Sequence, residues 1–423
     1  MPQPFTPLRI ALVCLHTSPG AEPGSGDAGG MNVVVRHQAE ALASAGHHVD
    51  ILTRRSSPVS ETMQLSPGVT LRFLEAGPAR PVPKGDHEEF IEAFRVQMDA
   101  LGPYDVIHSH HWFSGMAALP LARRRGIPHV QSFHSIAADA STPLSAGERP
   151  ESPGRMAGEA WLAQESDALV AISESEADTI VQRLGGAPER ISIVLPGVDG
   201  ILFRPTDIRS VGAAAVGAAE LSGPIDIRGY AIVAGRLQPL KGLDLAIEAI
   251  AAVPEPIRPE LVIAGDASAD YDGYIDELRS LAARHGIERN VRFVGPQSRV
   301  DLALLLSGAR VVLVPSHSET YGLVALEAAA SGVPVVAAAA GGLREAVLDG
   351  DTGVVLDSRD PKVWAGALTQ ILSNPAFARR LSLAARERAE HLDWPRSAEG
   401  LVTVYRSLVR PGAGDRRPSL LSA

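Results

Sequence analysis

A chain of 423 residues is longer than one hydrophobic core usually organises, and about 150 residues per domain gives two or three domains. Its 45% hydrophobic and 21% charged residues are those of globular material, which excludes a disordered or fibrous chain. With 39 basic against 49 acidic residues the net charge is −10, which argues against nucleic acid or an anionic membrane as main partner, and the lone Cys14 permits no internal disulfide.

Residues 9–15 read as a buried parallel strand, continuously apolar and followed by a Gly-rich loop. That apolar run is too short for a signal segment or a membrane span, so a cytoplasmic chain is expected. A helix over 32–45 ends at Gly46, and a second strand follows over 48–53. Further short strands are expected over 105–108, 128–131 and 168–172, at α/β spacing. Two prolines and two glycines within 195–205, then an Ala/Gly-rich stretch to Gly229, mark a domain junction. The alternation restarts with strands over 230–234, 261–264, 291–294, 311–314 and 333–338, and helices over 243–252, 274–285 and 323–330. The fold class expected is α/β, two doubly wound Rossmann-like domains over 1–205 and 206–392 facing each other across a cleft, with a frayed tail over 410–423.

Gly24, Gly26 and Gly29 form a literal G-x-G-x-x-G. Gly24 lies nine residues past Leu15 rather than in the tight turn after the strand, and the second strand runs into Arg54 and Arg55 without an acidic residue for a ribose. A glycine-lined loop at the cleft mouth, with the amides of Gly29 and Gly30 facing an anion or a sugar, suits the context better than a dinucleotide site. Arg236 and Lys241 follow the strand over 230–234, at the end of an open sheet where ligands bind, and a guanidinium with an ammonium there suits a diphosphate. The alternative is a pair of solvated surface cations. Glu319 precedes the helix over 323–330, whose free amides favour a phosphate, while Glu327 lies about two turns down and can accept from ribose hydroxyls. His108, His110 and His111 with His134 suggest a metal cluster, but no Cys or E-x-x-H spacing completes a ligand set, so hydrogen-bonding histidines at the cleft lip are expected, and no metal. Asp349-Gly350-Asp351 reads as a turn.

The combination of residues 26–33 (GDAGGMNV), His108-Ser109-His110, residues 235–239 (GRLQP) and the Glu319/Glu327 spacing resembles the retaining glycosyltransferases of family 4 with the GT-B fold. Within that family the N-terminal block is most similar to the inositol-phosphate enzymes of mycothiol biosynthesis. The resemblance implies that Arg236 and Lys241 hold the donor diphosphate, Glu327 the ribose, and Glu319 with the backbone at Tyr321, Gly322 and Leu323 the donor sugar. It further implies that Gly29 and Gly30 approach the donor, that His134 lies beside the transferred sugar, that Asn32 faces the acceptor, and that a C-terminal helix over 393–409 crosses back to the first domain. A homodimer is expected on the same ground, with no cofactor beyond the UDP- or GDP-sugar donor. The chain departs from the inositol-phosphate pattern at His111, where those enzymes carry Tyr, at Ser135, where they carry Thr, and at 138–140 and Met156, where basic residues are missing. Lys84 and Arg155 remain as matches, and Gln297 stands where an Arg meets the uracil. With much of the phosphate clamp changed, an unphosphorylated acceptor such as a low-molecular-weight thiol or aminocyclitol of specialised metabolism is favoured over inositol phosphate. A nucleotide-sugar 2-epimerase and a catalytically silent nucleotide-sugar binder are the competing classes.

Overall fold

The computed structural model describes residues 6–22, 28–58, 61–137, 152–206, 229–267, 271 and 273–409. The expectations for Gly24, Gly26, 138–140 and the 410–423 tail lie outside these residues.

The first half forms β1 (Arg9–Cys14), α1 (Gly30–Ser44), β2 (His48–Arg54), β3 (Thr62–Ser66), β4 (Val69–Leu74), α2 (Ile91–Asp99), β5 (Val106–His110), α3 (Trp112–Arg125), β6 (His129–Ser132), α4 (Arg155–Glu165), β7 (Ala168–Ala171), α5 (Glu174–Leu184) and β8 (Ile191–Ile193). They build an eight-stranded sheet in the order β3-β4-β2-β1-β5-β6-β7-β8. It is parallel except for β3, which runs antiparallel to β4 at the edge. The central strands are buried on both faces because helices cover both, which is why they read as unbroken apolar runs. β3 escaped the sequence reading because its residues are exposed or half-buried and mostly polar.

The second half repeats the plan with β9 (Tyr230–Ala234), α6 (Leu243–Ala252), β10 (Glu260–Ala264), α7 (Tyr274–Arg284), β11 (Val291–Gly295), α8 (Arg299–Gly308), β12 (Val311–Val314), α9 (Leu323–Ala330), β13 (Val335–Ala338), α10 (Leu343–Ala346), β14 (Gly353–Leu356), α11 (Pro361–Ser373) and α12 (Pro375–Ala389). Its all-parallel sheet has the order β11-β10-β9-β12-β13-β14. In each sheet the order reverses beside the first strand, so a crevice opens at the C-terminal ends of β1 and of β9.

The last helix, α13 (Trp394–Leu408), returns to the first half and packs against α1. Ala398, Leu401, Val404 and Tyr405 join the core beneath β1 and β5, and Gln38 donates to Ser397 at 3.0 Å. The two chain crossings lie side by side, with Val198 N donating to Leu392 O at 2.9 Å. A β-carbon at Gly197 would sit 2.4 Å from Trp394 N, so only glycine lets the crossings approach this closely.

Candidate active site

The loops at the C-terminal ends of β1 and β9 face each other across a cleft of about 300 Å³. From the second domain, Arg236 and Lys241 follow β9, and the loop of residues 315–322 leads from β12 into α9. The two loops are tied by His317 N, which donates to Leu240 O at 2.8 Å. Lys241 Nζ reaches Glu319 Oε2 at 2.6 Å, and Ser316 Oγ donates to the same oxygen at 3.2 Å. Gly322 caps the N-terminus of α9 with a φ of +105°, and that end of the helix lines the cleft. Tyr321, Gly322 and Leu323 line it, but the Tyr321 ring is buried and burial pushes its hydroxyl pKa up to about 12.

Glu327 is buried one helical turn further, with Oε1 held by Arg299 Nη1 at 2.7 Å and Oε2 without a hydrogen-bond partner. Arg299 begins α8 and lies over the Phe203 ring, its guanidinium carbon 4.7 Å from the centroid. Sequence reasoning missed Arg299; the readable signal is Ser298, a helix N-cap, placing the next side chain at the end of β11. Gln297 lines the cleft, but its amide donates back to Val294 O at 2.7 Å and to Gly295 O at 3.3 Å.

Several of the first-domain residues expected at the site are engaged by partners within their own domain. Gly29 and Gly30 line the cleft, and a β-carbon at Gly29 would lie 3.5 Å from Arg236 Nε, but the Gly29 amide is taken by Asn32 Oδ1 at 3.0 Å. Asn32 occupies the third position of α1, where its side chain caps the helix start, and its Nδ2 donates to Thr17 Oγ1 and Ser18 O. It lines the cleft as well, with its amide hydrogens engaged in holding the loop together. Arg155 is likewise drawn into a buried pair, with Nε to Glu159 Oε1 at 2.8 Å and Nη2 to Ser135 O and Oγ, and it supports Ser135 from behind.

Lys84, Ser135, His111 and His16 line the first-domain end of the cleft. His16, also missed, lies two residues past the end of β1 and packs at a tilt against His111, with ring centroids 4.3 Å apart. His16 Nδ1 and both ring nitrogens of His111 are buried without hydrogen-bond partners. Burial, with the nearby charges of Lys84, Arg155 and Arg236, holds the pKa of His16 well below the usual histidine range; for His111 burial again leads, followed by His16, Lys84 and Arg155. Both rings stay neutral.

His108 and His110 lie within β5 rather than across its end, on one face because side chains alternate along a strand. His108 Nδ1 meets the Tyr405 hydroxyl of α13 at 2.7 Å, and His110 Nδ1 meets His134 Nε2 at 2.8 Å. His134 lines the cleft beyond them, neutral because burial lowers its pKa to about 4. Its φ of +58° and the +71° of His111 are the positive values among the described non-glycine residues, sparsely populated conformations that cost ~1–3 kcal/mol each. Among the described residues no group of three or more His, Cys, Asp or Glu side chains has metal-holding geometry. No helix is long and apolar enough to cross a membrane, among the same residues.

Two parallel α/β halves, with cations and carboxylates gathered where their strand ends meet, are the architecture of a GT-B glycosyltransferase. Residues 29–197 match the glycosyl transferase 4-like domain and residues 224–388 match the glycosyl transferases group 1. The D-inositol 3-phosphate glycosyltransferase of Acidothermus cellulolyticus is 40% identical over 95% of this chain and 91% of its own. That of Frankia alni is 39% identical over 94% and 99%. Among solved structures, sucrose-phosphate synthase from Thermosynechococcus elongatus superposes with a TM-score of 0.84 at 30% identity, over 95% of this chain and 99% of that one. Anabaena HepE in complex with UDP and glucose does so at 0.74 and 19%, over 94% and 98%. The chain belongs to the family 4 glycosyltransferases of GT-B fold, among relatives of the D-inositol 3-phosphate glycosyltransferases.

Proposed function

We propose that the protein is a retaining, cytoplasmic glycosyltransferase that moves a sugar from a UDP- or GDP-sugar to a phosphorylated polyol of the inositol phosphate kind. The observation that carries the acceptor is the charge at the first-domain end of the cleft. The partnerless Nδ1 of His16 and both ring nitrogens of His111 meet Lys84 there, within the field of Arg155 and Arg236. The carboxylates that line the cleft among the described residues, Glu319 and Glu327, belong to the other domain. A cationic pocket with buried polar nitrogens suits an anionic oxygen-rich group, and the kinship with inositol-phosphate enzymes points the same way. This reverses the expectation of an unphosphorylated acceptor. One observation keeps that second reading: the pairing of Arg155 with Glu159 withdraws a cation from the clamp.

In the reaction, the bond from the anomeric carbon to the diphosphate oxygen breaks while an acceptor hydroxyl bonds to the same face of that carbon. The hydroxyl proton passes to the departing phosphate oxygen, so no protein base is needed. Positive charge grows on the sugar and negative charge on the diphosphate. Arg236, Lys241 and the N-terminus of α9 meet the negative charge, Glu319 and His134 hold the sugar, and Glu327 holds the ribose. An epimerase would need no acceptor end, which disfavours it here.

Lys84→Ala tests the acceptor. The KM for inositol phosphate is expected to rise about tenfold or more, as loss of a charge-assisted contact requires, with the donor KM unchanged. An unchanged KM, with free inositol used equally well, would support the second reading instead.

A further inference from the structure

The left-handed backbone of His134 is held from three sides. His110 takes Nε2 of its ring, the buried carboxyl of Glu176 faces its amide, and Thr320 Oγ1 donates to its carbonyl at 2.7 Å. Thr320 alone among these comes from the second domain, and it directly follows Glu319, the partner of Lys241.

Behind Glu319 and Thr320 lies the start of α10. Gly342 N donates to Glu319 O at 3.0 Å, and a β-carbon at Gly342 would sit 2.1 Å from Thr320 O, so the two segments form one packed unit. That unit carries Glu345, whose carboxylate oxygens accept from the amides of Glu174 at 2.8 Å and Ser175 at 2.9 Å. Those amides open α5, the helix that bears Glu176, which in turn accepts from Ile172 N at 2.8 Å. Two contacts from one rigid piece of the donor domain thus converge on the supports of a single histidine.

We infer that Thr320 is a positioning residue that transmits the state of the donor loop to His134. When the second domain closes on the first, the hydroxyl pins the His134 carbonyl while Glu345 caps α5, and the ring is set towards the cleft by His110. When the domains part, both contacts are lost together and the strained backbone is released. His134 is then in place only when the donor loop is. The inference rests on the reading that His134 serves the transferred sugar.

The test compares Thr320→Val, Thr320→Ser and His134→Ala in the full-length enzyme, by kcat for transfer and by calorimetric Kd for UDP or GDP, whichever nucleotide binds. Thr320→Val is expected to lower kcat about tenfold or more, since misplacement of about 1 Å costs up to about a hundredfold, with the nucleotide Kd within about twofold. Thr320→Ser, which keeps the hydroxyl, is expected to restore most of kcat. Full kcat in Thr320→Val, a loss confined to nucleotide affinity, or a Thr320→Ser variant as poor as Thr320→Val would overturn the inference. An unimpaired His134→Ala enzyme would overturn the reading beneath it as well, whereas an impaired His134→Ala beside a normal Thr320→Val would overturn the inference alone.

Discussion

Replacing Lys241 by alanine is expected to lower kcat about a thousandfold while the protein still folds. Lys241 ends a short turn after β9, about a quarter exposed, with its ammonium on Glu319. A preorganised donor aimed at charge that develops in the transition state contributes about 3–4 kcal/mol in comparable sites, because the protein dipoles need no reorganisation as the reaction proceeds. The fold asks little of this ammonium: its partner Glu319 keeps the Ser316 hydroxyl and is itself partly exposed. A partly exposed ion pair contributes about 1 kcal/mol at most to stability. Steady-state transfer rates and a thermal melt check both halves of the expectation. Near-normal turnover would remove Lys241 from the leaving diphosphate, and an unfolded variant would show that the pair is structural.

Acid is expected to unfold the protein steeply below neutrality. His16, His108, His110, His111, His129 and His134 all have pKa values depressed mainly by burial, to about 4 for His134 and about 3 for His129. The unfolded chain binds protons at these rings from about pH 6.5 downward while the folded chain does not, so stability falls as pH drops through that range. Each ring contributes about 1 kcal/mol of loss between pH 6.5 and 5.5, or about 6 kcal/mol for the six. Glu176 acts in the opposite sense. Burial raises its pKa to about 7, so its contribution is greatest in acid and is lost as pH rises towards 7, which offsets about 1 kcal/mol on acidification. The remaining loss of about 5 kcal/mol is a large part of a typical folding free energy and corresponds to a fall in Tm of about 10 °C or more between pH 6.5 and 5.5. Equal Tm values at the two pH values would show that the histidines are hydrated in solution.

Much of the fold was legible because its strands are short, apolar on both faces and separated by helices, a pattern that leaves few topologies. The polar edge strand β3 and the position of His110 inside β5 were not, since neither shows as an apolar run. The second-domain lining of the cleft was readable for a physical reason: Arg236, Lys241 and Glu319 lie in loops at strand ends, and Glu327 falls about one turn into the helix that follows Glu319. The partners of Asn32 and Arg155 were not legible, because residue type says nothing of who else competes for a side chain. The Gly29 amide took one and Glu159 the other. The contact of Thr320 with His134, 186 residues apart, arises only when the two domains meet, and that of Arg299 with Glu327 only when the elements after β11 and β12 come together.

The most direct measurement is an NMR time course of the protein with UDP- or GDP-sugar and inositol phosphate, beside parallel reactions with free inositol and with no acceptor. The result expected is release of nucleoside diphosphate that requires the phosphorylated acceptor, with a new glycoside that keeps the anomeric configuration of the donor. Donor turnover without acceptor, or a product of inverted configuration, would contradict it.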